Sequence, residues 1–428
     1  MKLNAETLDP DVKNLRLILQ GVQRAAAMAG YAVSNTRPSG WTLLRTSDLL
    51  LLVTMSLLLV LTNPLAVYGS HQRHQPQTTD FYVSPTGLDG NDGSRSRPWA
   101  TITHAGSRIG PGATVHVGPG VYTAPVSTAA SGRPDARIRF VSDTKWGAIL
   151  RIDSPASFGW MNSGAYVDIE GFEIIGHVAI GIYNTAPFVR IVNNHLHGLS
   201  PTCDGNGGAG ITLAEGAHDS LVITNVVHDV KITTACTATH GVGIYVQTTA
   251  AVICNNLVYG DANQGIQMWH GATAGTIANN TVFGNGKEGI LIGCGDRGCE
   301  WPGPGKNDNT VVINNISIYN DYGIREYGST GTHNTYRNDL VYRNGKDIEL
   351  QNGNTASGIL KVDPALVFVD WRSDGTGDYR LRPASLAVHG GTSEGLPGER
   401  CSFKTAPDGS VNIGANQPGP ARGKPPQQ

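Results

Sequence analysis

The chain has 428 residues with 55 glycines and only 15% charged residues, long enough for a large core and too rich in turn formers for a helical protein. Lysine plus arginine number 32 against 34 aspartate plus glutamate, and the net charge of −2 excludes the strong positive field of a nucleic-acid binder or of a protein held on an anionic membrane. Whatever the chain binds must be recognised by local sites.

Residues 1–69 read as a leader. Leu49 to Thr62, LLLLVTMSLLLVLT, is an apolar run without charge, followed by small residues that offer a cleavage point near Gly69. It has the length of a signal-peptide core and falls short of the ~20 residues of a transmembrane helix. Translation from Met28 gives an ordinary basic segment with Arg37 and Arg45 ahead of the run, and an uncleaved signal anchor is the competing reading. Export places the protein outside the cytoplasm, secreted or at the cell surface, touching a membrane only through this segment if it stays. Residues 70–80 (SHQRHQPQTTD) read as a linker, 81–400 as one folded domain, and 401–428 as a C-terminal tail that ends in QPGPARGKPPQQ. Six cysteines fit an oxidising compartment. No CxxC, HExxH or other compact metal-ligand spacing occurs, so no metal site is assigned.

The domain opens with FYVSPTGLDGNDGSRSRPWATITHAGSRIGPGATVHVGPGVYT, residues 81–123, and then becomes periodic. ICNNLVYGDANQGIQMWH at 253–270 is written again as IANNTVFGNGKEGILI at 277–292. Taking the last asparagine of each block aligns Asn194, Asn225, Asn256, Asn280, Asn315 and Asn338. A second series keeps step with it: Gly-Ile at 181, 210, 243, 265, 289 and 323, with Asp347-Ile348 as a degenerate seventh copy. A unit of ~22 to 24 residues with insertions, built of short β-branched stretches broken by Gly and Asn, is too short for a propeller blade and lacks the leucines of a leucine-rich repeat. It fits one turn of a parallel β-helix, an all-β solenoid. In that fold Asn tolerates the left-handed corner and its amides stack along the axis, while the isoleucines form one inward column.

Strand alternation then turns the residue after each Ile outward. That column reads Tyr183, Thr212, Tyr245, Gln267, Leu291, Arg325 and Glu349; two residues further along stand Trp269 and Tyr327. Aromatic rings beside amides and charges suit a sugar groove, and Arg325 is of the type that pairs with a uronate carboxylate. Tyr183, Tyr245, Gln267, Trp269, Tyr327 and Glu349 are thus candidates for substrate binding. His270, Lys287, Arg325 and His240 are candidates for catalysis, since proton abstraction needs a base. Scattered acids, Asp204, Asp229, Asp261, Asp296 and Asp308, read as solvated turn residues. Glu349 with Glu215, Glu288 or Glu326 would supply the carboxylate pair that a glycosidase reading needs. Cys203 and Cys236 each lie seven residues before a Gly-Ile and would join as a disulfide, Cys294 and Cys299 would close the inserted loop CGDRGCEWPGPGKNDN, and Cys254 and Cys401 have no evident partner.

The opening segment, with YVSPTG, the DGNDG run, RPWATI and GPGATVHVGPGVYT in order, resembles the start of secreted right-handed parallel β-helix proteins, the family 9 pectate lyases and the DUF1565-like group. VDPALVFVDWRSDGTGDYRLRPASLAVHGG resembles their closing segment, so the likeness spans about 80–395. It implies a capping helix at Ala100 to Ile109, and a lyase that holds calcium with aspartates around a strand-opening Gly, with a nearby lysine as base. In this chain those places carry Val242, Asn263, Gln264 and Gln267, so the implied calcium cluster is not matched. The expected activity is lyase-like β-elimination on an acidic polysaccharide by a monomer; a glycan-binding or adhesin-like surface module without catalysis is the alternative.

Overall fold

The structure, a computed structural model, describes residues 79–200, 208–232, 241–295, 299, 305–401 and 410–415. Short parallel strands coil into three faces. The first face is an 11-stranded sheet in strict rung order, from Thr79–Val83 to Ala356–Ser357. The second and third faces merge into one 16-stranded sheet, because Ala148–Asn162 and Glu173–Asn184 each pass from one face to the other as a single strand. Among the described residues no helix is long and apolar enough to cross a membrane; the apolar run at 49–62 lies outside them.

The isoleucine column forms as expected. Ile182, Ile211, Ile244, Ile266, Ile290, Ile324 and Ile348 are register partners from rung to rung, and all but the last are fully buried. It extends two rungs further back than the repeat does, through Val126 and Trp160, where Gly-Ile is absent. The glycine ahead of each Ile has a packing cause. A Cβ on Gly210, Gly243 or Gly265 would come within 2.4–2.5 Å of Val227, Val258 or Val282, the inward residues of the second face in the next turn of the coil. Only glycine lets the third face start that close to the second.

The asparagine series divides into two columns rather than one. Asn193, Thr224, Asn255, Asn279, Asn314 and Asn338 take the left-handed corner, with φ between 52° and 57°. The next residues make the ladder: Asn194, Asn225, Asn256, Asn280 and Asn315 each donate from Nδ2 to the following rung at 3.0–3.1 Å. The sixth ladder member is therefore Asp339, not Asn338, which sits at the corner. A parallel ladder that the repeat did not reveal runs through Asn285, Asn320 and Asn344, preceded by Asp261, whose main-chain N–H donates to Asn285 Oδ1. Asp261 is fully buried rather than solvated, and burial pushes its carboxyl well above the ordinary range.

Asp339 ends its ladder without an amide. Its Oδ1 accepts from Asn315 N and Nδ2, while Oδ2 has no hydrogen-bond partner. In the five preceding rungs the atom at that place is an amide nitrogen donating to a main-chain carbonyl. Burial pushes the Asp339 carboxyl from 3.8 up to about 7. The neutral form fits, so its contribution is intact below pH ~4 and is lost as pH rises through 7. Asp339→Asn is expected to raise stability by up to about 4 kcal/mol at pH 8 and far less at pH 5. Urea denaturation at the two pH values checks this, and a gain that does not change with pH contradicts it.

Outside the coil, a helix at Ile102–Arg108 is capped by Thr101, which Asp89 holds through its hydroxyl and main-chain N–H, and lies against strands Thr79–Val83 and Val126–Thr128. The segment after residue 360 folds back over the second face. Val367, Phe368, Tyr379, Ala387 and Ile413 bury the outward residues Tyr259, Phe283, Ile316, Ile318 and Leu340. Residues 410–415, placed with the tail from sequence, thus lie against the coil, with Val411, Ile413 and Ala415 buried. Cys254 pairs with Cys401, which sequence spacing did not suggest, and Cys294 pairs with Cys299 as expected. Cys203 and Cys236 lie outside the described residues.

Candidate functional site

The outward face of the third sheet is built as alternation requires. Tyr183, Thr212, Tyr245, Gln267, Leu291, Arg325 and Glu349 are consecutive register partners, one per rung. At ~4.8 Å per rung they span about 29 Å along the axis. Aromatic groups cluster on this face: Phe158 stacks on Tyr183 at 4.7 Å, Tyr245 meets His270 edge-on at 6.0 Å, and Trp269 and Tyr327 lie 9° from parallel with centroids 6.2 Å apart. Gly293 stands between the last two in the rung order, where a Cβ would come within 3.2 Å of the indole. Tyr327 is 49% exposed.

Arg325 is the electrostatic centre of the face. Its guanidinium lies over the rings of Tyr322 at 4.1 Å and Tyr327 at 4.7 Å. Nη1 bonds Glu288 Oε1 at 2.8 Å, and Nε lies 3.1 Å from Glu349 Oε2. Gln264 Nε2 donates to the other oxygen of Glu288, and Lys346 to Glu349, so four rungs contribute to one line of charge along the axis. The Lys346 hydrogen bond, with Arg325 behind it, holds the Glu349 carboxyl below its usual range. Arg325 is thus already paired within the protein, and a uronate carboxylate would meet a guanidinium that two protein carboxylates share. Sequence reading missed Tyr322, and it named Gln264 only as a mismatch to the calcium pattern. The signal was present, since both directly precede a Gly-Ile.

The catalytic candidates do not converge. His270 follows Trp269 at the end of its strand with φ of +51°, whereas Lys287 directly precedes Glu288 at the start of the next rung's strand, on the opposite margin of the face. His240 lies outside the described residues, as do Asp204 and Asp296. Glu326 points into the coil, fully buried and bonded to Tyr336, Asn334, Asn354 and the Gln351 N–H, so it cannot pair with Glu349 across an outer cleft. Glu288 is buried and committed to Arg325, and Glu215 lies in an exposed turn. Asp308 is mostly buried and bonded to His333, and Asp229 is exposed and bonded to His228. The donors around Gly265 do not suit calcium. Gln264 is tied to Glu288, Asn263 is a neutral amide, and the Glu288 carboxylate is neutralised by Arg325.

Three kinds of likeness to known proteins bear on this arrangement. Residues 81–357 match the family model described as the Pel9A-like, right handed beta helix region. The uncharacterized protein YwoF of Bacillus subtilis (strain 168) is 26% identical over 154 residues, covering 32% of this chain, and the chain spans about a third, 33%, of that relative. The crystal structure of pectate lyase Pel9A superposes with a TM-score of 0.58 at 17% identity, covering 78% of this chain and 95% of the other. An alginate lyase from Paenibacillus sp. str. FPU-7 reaches a TM-score of 0.47 at 18% identity, with 60% and 91% covered.

Proposed function

Because the chain belongs to the Pel9A-like family of right-handed β-helix proteins, we propose that it is an exported, carbohydrate-active protein that binds an acidic polysaccharide along the third face and cleaves it by β-elimination. The observation that carries the reading is the outward line from Tyr245 to Glu349 with the parallel rings of Trp269 and Tyr327 along its margin, Tyr327 lying against the Arg325 guanidinium. Rings of this kind pack on sugar faces, and a repeating row of polar groups matches a repeating polymer. Export is supported by the apolar run at 49–62 and by the two disulfides, which form in oxidising compartments.

In the reaction a base removes the proton α to the uronate carboxylate. The electron pair forms a carbon–carbon double bond, the glycosidic C–O bond β to the carboxylate breaks, and the leaving oxygen takes a proton. His270, next to Trp269, is the base this reading favours. The chemistry is routed through the chain's own residues, since its donors do not suit calcium.

The test is absorbance of unsaturated uronates on incubation with pectate, alginate and glycosaminoglycans. His270→Ala is expected to lower kcat by about 10²–10⁴ with KM little changed, and Trp269→Ala to raise KM about tenfold. No rise on any of these polymers sinks the lyase reading. A second reading, a glycan-binding module without turnover, draws on Arg325 being held by Glu288 and Glu349. Binding lost in Trp269→Ala with no product from the unaltered chain would favour it.

A further inference from the structure

We propose that His195, His197 and His228 form a site for one divalent transition-metal ion of the zinc class, on the second face and separate from the polysaccharide face. His195 and His197 are two apart on strand His195–Leu199 and so project from the same side, and the register sets His228 of the next rung directly opposite His197. One ring nitrogen from each lies within 4.8 Å of the other two. His195 Nε2 and His228 Nε2 are 2.9 Å apart. Two nitrogens bound to one zinc at ~2.1 Å would stand about 3.0–3.4 Å apart for angles between 90° and the tetrahedral value. This pair needs almost no movement to share an ion.

The outer partners point the same way. Glu173 Oε1 is 2.9 Å from His197 Nε2, and Asp229 Oδ2 is 2.8 Å from His228 Nδ1. Each carboxylate takes one ring nitrogen and leaves the other, His197 Nδ1 and His228 Nε2, for a metal, the arrangement that orients and strengthens imidazole ligands. Trp146 covers His195 at 4.5 Å and fixes itself by donating its indole N–H to the Asn193 carbonyl. Imidazole ligates as the neutral ring, the form histidine ordinarily holds above pH ~6.5. Three neutral nitrogens suit zinc, copper or nickel, and not calcium or magnesium.

A plainer role is also visible. His197, His228, Tyr259 and Phe283 form one stacked column, with rings 4.5–5.0 Å apart and within 9° of parallel. Stacking accounts for rings at 197 and 228. It does not call for histidine, for a carboxylate behind each ring, or for the third nitrogen at His195. The sequence held the signal as a His-x-His on one strand with a third histidine one rung on, a spacing that only the coil makes compact.

The experiment uses the full chain without a polyhistidine tag, stripped with chelator and titrated with Zn²⁺ by calorimetry and with Co²⁺ by visible absorption. One equivalent should bind with submicromolar Kd, and Co²⁺ should give ligand-field bands. His228→Phe keeps the ring column and the thermal midpoint of the metal-free protein, yet should weaken binding at least 100-fold. Glu173→Gln, which touches no ligand atom, should weaken it about 10–100-fold. No heat and no bands with millimolar ion would overturn the site and leave a stacking column. Binding unchanged in His228→Phe would overturn it by placing the ion elsewhere.

Discussion

Replacing Asn256 with alanine is expected to lower the unfolding free energy by about 3–5 kcal/mol, because one fully buried amide serves three rungs. Its Nδ2 donates to the Val222 carbonyl at 2.9 Å and to Asn280 Oδ1 at 3.0 Å, and its Oδ1 accepts from Asn225 N and Nδ2. Alanine strands the Asn225 main-chain N–H, an amide hydrogen of Asn225 and the Val222 carbonyl in a dry corner, each at about 1–3 kcal/mol. Urea denaturation followed by far-ultraviolet circular dichroism measures it. A loss below about 1 kcal/mol would mean that the ladder is replaceable by water and does not hold the corner.

Cys401→Ser is the second large effect, with an expected loss of about 2–5 kcal/mol. The bond from Cys254 closes a span of 147 residues and ties the returning C-terminal segment to the first face. The chain-entropy estimate for a loop of that length is about 5 kcal/mol, and the range allows for structure left in the unfolded chain. Both cysteines are fully buried beside Val252, Ala278 and Ile313, and Asn255 Nδ2 donates to the Cys401 carbonyl. Cys254→Ser and the double substitution should cost about the same as Cys401→Ser, since any of them removes one cross-link. Reductant should destabilise the unaltered chain by more than the double variant, in which, among the described residues, only Cys294–Cys299 remains to be opened, a short loop worth about 2 kcal/mol on the same estimate. If Cys401→Ser unfolds at the same urea concentration as the unaltered chain, the segment is held by packing of Phe368, Tyr379 and Ile413 alone.

The two predictions concern features that differ in how they could be read. Asn256 belongs to a repeat, and a repeat announces its geometry, since identical residues at a fixed period can satisfy each other only by stacking. The Cys254–Cys401 bond joins one rung to a segment outside the repeat, and no period points across 147 residues. The same division runs through the candidate site. Tyr183 to Glu349 could be lined up because each follows an Ile of known orientation. The pairing of Arg325 with Glu288 and Glu349 could not, because it depends on how far long side chains reach between rungs and on which of them are desolvated.

By itself, then, the sequence determined the architecture of this protein: a coil of parallel strands, its inward isoleucine column, its asparagine corners and the face that its aromatics share. These follow from local rules, the period-two alternation of strands and the left-handed tolerance of Asn, acting at a constant repeat. Tertiary structure alone decided the rest: that Asp261 and Asp339 are buried in the ladders rather than solvated, that Glu326 faces inward, that the C-terminal segment covers the second face from Tyr259 onward, and that three histidines from two rungs meet beside Trp146. Each is set by what lies across the coil or over it, and desolvation and side-chain reach depend on neighbours distant in the chain.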